Sequence, residues 1–463
     1  MPFPGRPWDS SRVILLAVIL LALVKGLLWA TVIPGWYGPD ETSHYVYVQG
    51  IVEDHWLPRS SDPNAGLYYP PEVICSERNL GIGFAGEFHA EPFFNMARND
   101  CGQSNPSRHA SAPVNAAAGY RPLYYAGAVP FYLLARQQAI EVRLAAVRLW
   151  SVLLGALAAA AAWLAMRHAF PESRPLALAA TILFIFQPMN SQQTAVVNND
   201  ALLLAVAALF WWQFFVALRF GASVRRILLM AGLAGIAYVA KPQGIFLASV
   251  LPIVALRGLP RPRRFGELAR LAVAAAAPLA AALLVSLLLV SLAGIHGLAP
   301  PSAPGLHGVR QYLAQYLEHG LERPYALWIT SFWGYFGWYQ VDLPAPVYVF
   351  ALLASLLGLV GSFRLMIDKS ADRTARLVTA GAFLVPAALI QLLELYVFRS
   401  TGILVLQGRS FLMLLIPLIV LLLLGWQRLL PRAAGWGLAP ATVVLALTLN
   451  LVSLARMVDV FYG

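Results

Sequence analysis

Apolar runs of membrane-crossing length punctuate this chain from end to end. Runs at 13–33, 146–166, 201–218, 268–294, 345–363, 377–397, 410–426 and 438–460 fall at or near the roughly 17–25 residues a bilayer-spanning helix needs. Shorter apolar runs lie at 176–190, 227–240 and 243–256. In hydrocarbon every backbone N–H and C=O needs an internal partner, which such runs achieve only as helices. The pattern predicts an all-α polytopic membrane protein with about 11 transmembrane helices, residues 1–463 forming one transmembrane domain. Composition agrees: 59% of residues are hydrophobic and 12% charged, whereas a soluble domain carries about 25% charged residues.

The basic residues set the expected topology. Arg6 and Arg12 precede the first run. Arg167 and Arg174, then Arg219, Arg225 and Arg226, then Arg257, Arg261, Arg263, Arg264 and Arg270 occupy alternate short loops. Arg364, Lys369, Arg373 and Arg376 follow, then Arg428 and Arg432. Under the positive-inside rule these loops and the N-terminus are cytoplasmic, in a multi-pass protein of the cell (inner or plasma) membrane. This placement explains the net charge of +11 without nucleic acid as a partner. The run 13–33 is longer than a signal-peptide core and lacks a small-residue cleavage site, so it is expected to stay as the first helix. Counting 122–138 as a span would turn the arginine-rich loops outward. That stretch is therefore expected to be an interfacial helix. Basic clusters on both sides of 227–256 predict a hairpin of two short helices turning at Lys241-Pro242.

Two large extracytoplasmic pieces follow from this scheme. The first is 34–145, with juxtamembrane helices; the second is 295–344. Cys75 and Cys101 both fall in the first. Two cysteines in one outer loop point to a disulfide in an oxidising compartment, with two free thiols as the alternative.

The polar residues at the outer ends of the spans carry whatever chemistry the chain has. Asp40 and Glu41 leave the membrane directly after the first span, where an ionisable cluster marks a working site. Helix-like sequence follows them, so helix capping competes with catalysis as their role. His44 is four residues from Asp40 and three from Glu41, hence on one helix face. Asn198-Asn199-Asp200 ends a polar stretch between two apolar runs and is expected level with Asp40; an N-cap is the plainer alternative. Lys241 is a lone cation at the hairpin tip. Arg399 and Arg409 run against the positive-inside trend, and a phosphate ligand would account for them; lipid headgroups would also do so. Glu394 can pair with Arg399. P-loop, Rossmann, zinc and nucleophile-elbow motifs are absent from the sequence.

The acidic pair after the first span, Arg121-Pro122-Leu123-Tyr124-Tyr125, Asn198-Asn199-Asp200 and the Lys241-Pro242 tip together resemble the GT-C superfamily of membrane glycosyltransferases. Phe332-Trp333-Gly334, Phe336-Gly337-Trp338 and Gln407-Gly408-Arg409 resemble more closely the bacterial membrane-protein family known as domain of unknown function 2142. The resemblance covers about residues 36 to 420. It implies inverting transfer of a sugar from a polyprenyl-phosphate donor to an extracytoplasmic acceptor, which would be a cell-envelope glycan, a lipid or a protein. Asp40 or Glu41 would be the base and Asp200 the second acid. His44, Asn199, Lys241, Arg399 and Arg409 would bind substrate or its phosphate, and Trp333 and Trp338 would form a platform for a sugar or lipid tail. Some members of the superfamily hold a divalent cation (Mg or Mn) on their acids, here Asp40 and Asp200, and in others none is needed. Asn198 departs from the paired Asp-x-Asp form. Two other readings fit an outer-face site: a transporter or flippase of lipid-linked sugars, and a polymerase or ligase of surface polysaccharide. Transporters tend to show two related halves, and loop 34–145 has no counterpart in the second half.

Overall fold

The computed structural model describes residues 10–55, 69–79, 101, 107–109, 115–257, 265–293, 308–322, 327–337, 340–367, 373–402 and 407–463. The apolar runs are helices: α1 (Ser10–Val32), α2 (Glu41–Glu53), α3 (Pro71–Asn79), α4 (Leu123–Leu134), α5 (Ile140–Ala169), α6 (Arg174–Phe186), α7 (Pro188–Gln193), α8 (Asp200–Phe220), α9 (Val224–Ala240), α10 (Val250–Arg257), α11 (Phe265–Ala293), α12 (Val309–Glu322), α13 (Leu327–Trp333), α14 (Ala345–Ile367), α15 (Arg373–Thr401), α16 (Leu415–Leu429) and α17 (Leu438–Tyr462). Short 3₁₀ turns span Ala116–Gly119, Pro242–Ser249, Gly408–Leu414 and Arg432–Gly437. A two-residue antiparallel ribbon pairs β1 (Tyr335–Phe336) with β2 (Val341–Asp342), a small departure from the all-α expectation.

Among the described residues seven helical stretches are long and apolar enough to cross a membrane, against the eleven expected. Two of the expected spans are interrupted for local reasons. The expected span 176–190 is cut at Gln187, whose side-chain oxygen accepts the Asn190 N–H at 2.6 Å and starts the six-residue α7 with Pro188 in its first turn. The expected span 243–256 opens as a 3₁₀ turn behind Pro242. The stretch 122–138, not counted among the eleven, forms α4, whose 12 residues extend about 18 Å, too short to span.

α1 shows the lipid-facing pattern: Leu16, Leu20 and Val24 are 57%, 61% and 65% exposed along one side. Its other side packs on α5, and α5 packs on α8 along most of its length. Trp29, Trp163 and Trp211 are fully buried in this core.

Loop 34–145 is held down by charge pairs. On α5, Arg143 Nη1 and Nη2 donate to Glu72 of α3 at 2.9 and 2.6 Å, with both residues 1% exposed. Glu53 of α2 accepts from Arg136 Nη2 and from the Tyr132 hydroxyl, each at 2.9 Å. The Cys75 and Cys101 sulfurs are bonded to each other and tether α3.

The 227–256 hairpin forms with its turn at Lys241. It closes tightly because Gly244 leaves room for Ala237: a Cβ there would lie 2.3 Å from that residue's carbonyl carbon and oxygen. Gly232, in the same hairpin, faces open space. Gly244→Ala should lower the thermal midpoint in detergent by the equivalent of about 1–3 kcal/mol of overpacking. Gly232→Ala should hold or raise it, since alanine is the better helix former. Equal behaviour of the two variants would refute the close approach.

Candidate functional site

The chain leaves α1 and turns twice through left-handed backbone, at Trp36 (φ 68°) and Asp40 (φ 59°). A non-glycine residue there carries strain of roughly 1 kcal/mol, which surrounding contacts must sustain. Trp36 Nε1 donates to Ser76 Oγ on α3 at 2.9 Å and is fully buried. Asp40 then stands at the N-cap position of α2, yet its side chain makes no capping hydrogen bond. Capping therefore does not account for this carboxylate.

The two neighbouring acids have different environments. Glu41 is fully buried, and all four lone-pair positions of its carboxylate are occupied. Oε1 accepts from Arg148 Nε at 2.8 Å and from the Val197 N–H at 2.9 Å. Oε2 accepts from Arg148 Nη2 at 2.6 Å and from the Gly38 N–H at 3.3 Å. The remaining Arg148 donors reach the Ala30, Ile33 and Pro34 carbonyls at 2.7, 2.7 and 2.8 Å. Those carbonyls at the end of α1 lack helical partners, so one guanidinium closes the helix and neutralises the acid. The Asp40 side chain is 44% exposed and meets a single cation, Arg409 Nη2, at 3.2 Å.

Four further loops converge on Asp40. Asp200 opens α8, and its Oδ1 accepts from Lys241 Nζ at 2.6 Å. Asn198 joins the two acid loops: Nδ2 donates to the Pro39 carbonyl at 3.2 Å, and Oδ1 accepts the Asp200 N–H at 2.9 Å. Arg409 is braced by Nε donating to Gln407 Oε1 at 2.7 Å. The Gly408 N–H donates to Ser331 Oγ at 2.7 Å, so the segment leading into Phe332-Trp333-Gly334 supports the Gln407-Gly408-Arg409 loop. Trp333 is half-buried beside Phe332.

His44 lies among these charges. Its ring stacks with Tyr120 and Tyr125 at 5.7 and 5.8 Å, and Nδ1 shares a 2.7 Å hydrogen bond with the Tyr125 hydroxyl. Burial lowers its pKa from 6.5 to about 4; Lys241 and Arg409 act in the same direction, while Asp40 and Asp200 oppose them. The imidazole is neutral at ordinary pH. Among the described residues several buried acceptor oxygens have no partner: Asp200 Oδ2, Asn199 Oδ1 and Gln243 Oε1. A ligand rich in hydrogen-bond donors would satisfy them.

The structure thus brings together Asp40, His44, Asn199, Asp200, Lys241 and Arg409, with Trp333 on a supporting loop. Glu41 is adjacent but fully engaged in structural contacts. Arg399 is exposed in the last turn of α15, and among the described residues it makes no ion pair, so the expected Glu394 pair is replaced by Gln391 Nε2 donating to Glu394 at 3.1 Å. Trp338 lies outside the described residues. A divalent cation on Asp40 and Asp200 does not fit: each acid already faces a cationic side chain, and among the described residues no three His, Cys, Asp or Glu side chains converge. Sequence reasoning missed Arg148 and Arg143. The signal was present, since both sit at the end of α5 opposite Arg167, as much against the positive-inside trend as Arg409.

Two solved structures resemble the chain over nearly its whole length at low identity. ArnT from Cupriavidus metallidurans, crystallised with undecaprenyl phosphate, is 14% identical, with 98% of this chain and 76% of that chain covered at a TM-score of 0.47. The Archaeoglobus fulgidus oligosaccharyltransferase, tethered with an acceptor peptide, is 11% identical, with 97% of this chain and 55% of that chain covered at a TM-score of 0.47. No curated protein matches the chain. Residues 23–450 match the family described as "Predicted membrane protein (DUF2142)", and the chain belongs to that family.

Proposed function

We propose that the chain is an inverting glycosyltransferase that moves a sugar from a polyprenyl-phosphate donor to a hydroxyl-bearing acceptor on the extracytoplasmic side of the cell membrane. The observation that carries this reading is the Asp40 carboxylate. It sits on a strained backbone turn, is unused in capping and partly exposed, and faces Arg409, while the neighbouring Asp200 holds Lys241 from another loop.

The chemistry is one displacement. The acceptor oxygen attacks the anomeric carbon while the bond from that carbon to the phosphate oxygen breaks. The acceptor proton passes to an Asp40 oxygen, and the phosphate leaves with the bonding pair. Arg409 and Lys241 offset the charge gained by the phosphate, as preorganised donors do most effectively where water is sparse. Arg409 turning from Asp40 to the donor phosphate would leave the carboxylate more basic as the acceptor arrives. Asp200 positions Lys241. The unpartnered Asp200 Oδ2, Asn199 Oδ1 and Gln243 Oε1 would receive sugar hydroxyls. Trp333 would offer an aromatic face to a sugar or lipid tail. Neutral His44 adds no charge to compete for the phosphate. No step requires a metal ion.

The deciding assay presents purified protein in lipid with a panel of radiolabelled polyprenyl-phosphate sugars and measures release of polyprenyl phosphate. Asp40→Asn should reduce release by about 10²–10⁴-fold, the range of general-base catalysis, at an unchanged thermal midpoint. Glu41→Gln should lower the midpoint instead, because it leaves Arg148 buried without its anion, a loss of about 3–5 kcal/mol. Full activity in both Asp40→Asn and Asp200→Asn would refute the mechanism. Donor movement across the bilayer without release would favour a transporter.

His44 supplies a pH test. The folded chain resists protonating it down to about pH 4, whereas the unfolded chain protonates it near 6.5. Stability should therefore fall as pH drops from 6.5 towards 4, by up to about 3 kcal/mol from this residue. Midpoints measured at pH 7 and pH 5 should differ less in His44→Gln than in wild type; an identical difference would remove His44 as the cause.

A further inference from the structure

The opposite end of the bundle contains a cavity of about 500 Å³. It opens where α5 runs into α6, with α8, α15 and α16 forming its sides. Sites for small organic ligands run from roughly 300 to 1,000 Å³. Two guanidinium groups from separate helices line it: Arg219 in the last turn of α8 and Arg376 near the start of α15. Ser173 lines it too. Its Oγ caps α6 by accepting the Leu176 N–H at 3.4 Å, so the positive end of the α6 dipole borders the space. Among the described residues Glu172 is the one acid in the lining, and Phe215 and Leu424 belong to its apolar wall. Arg219 lies 19 residues along α8 from Asp200, which at 1.5 Å per residue places it roughly 28 Å from that acid.

We propose that this cavity binds a lipid phosphate, with the phosphate between Arg219 and Arg376 and the apolar chain along Phe215 and Leu424. Guanidinium recognises phosphate through paired N–H donors, and basic pockets between membrane helices are suited to anionic headgroups. Arginines that merely border the headgroup layer would need no cleft of this volume behind them. A soluble phosphate ester would engage the same guanidiniums but leave the apolar wall uncovered. The site is independent of glycosyl transfer at the other end.

The test uses the full chain in phosphatidylcholine nanodiscs, with phosphatidylglycerol as the lipid probe and glycerol 3-phosphate as the soluble one. Phosphatidylglycerol should raise the thermal midpoint. Arg219→Gln and Arg376→Gln should each weaken that response by tenfold or more in lipid concentration. Arg225→Gln, an exposed arginine outside the cavity that changes charge equally at the same end, should respond as wild type does. A photoactivatable phosphatidylglycerol on the wild-type chain should label 168–176, 215–219, 375–379 and 420–427, a readout unaffected by variants that fold poorly. Glycerol 3-phosphate stabilising as well as the lipid would overturn the lipid source in favour of a soluble ester. No response, equal loss in Arg225→Gln, or labelling elsewhere would overturn the site.

Discussion

One guanidinium holds the site together. Arg148 reaches from α5 to the last carbonyls of α1 and to both oxygens of Glu41, with every N–H engaged. A buried ion pair is favourable only when each lone pair and proton is matched, and here the match is complete. The pair fixes where α1 stops and where α2 starts. Through the Val197 N–H it also fixes the loop that delivers Asn198 and Asp200. The left-handed turn at Asp40 depends on this clamp: with Gly38 and Glu41 both held, the residues between them must turn sharply, and aspartate tolerates that turn better than most.

The adjacent acids therefore divide the work. Glu41 is consumed by structure, which leaves Asp40 exposed and lightly paired. Ordering one carboxylate so that its neighbour points outward is a way to hold a reactive group on the border of a membrane protein, where loop backbone would otherwise move. Asn198 contributes in the same manner, tying the Pro39 carbonyl to the Asp200 N–H. An aspartate at 198 would accept that N–H but could not donate to Pro39, so the departure from Asp-x-Asp has a local physical reason.

Much of this was readable from the residues, because bilayer physics leaves few options. Apolar length and the arginine alternation predict helices whose polar ends gather Asp40, Asp200, Lys241 and Arg409 at one end of the bundle. The turn at Pro242 was legible from the arginines flanking it, but the break at Gln187 was not predictable from hydropathy, which scores side chains and ignores how a glutamine oxygen redirects the backbone. The division between Asp40 and Glu41 was equally hidden. It depends on Arg148, 107 positions away from Glu41, and no periodicity within a single helix reports a partner at that separation. Arg399 was grouped with Arg409 on charge alone; in the structure it is exposed in the last turn of α15 and, among the described residues, makes no ion pair.

The charge balance of the cluster bears on what it selects. Asp40 with Arg409 and Asp200 with Lys241 form two neutral pairs, so the cluster carries little net charge and suits a weakly hydrated setting. A bare phosphate would have to displace carboxylates that already satisfy the two cations, and it would offer few donors to Asp200 Oδ2 or Asn199 Oδ1. A phosphate joined to a polyol brings charge for the cations and hydroxyls for the unpartnered oxygens in one molecule. If the proposed function holds, self-neutralisation of the cluster would favour the composite ligand, by requiring both halves at once.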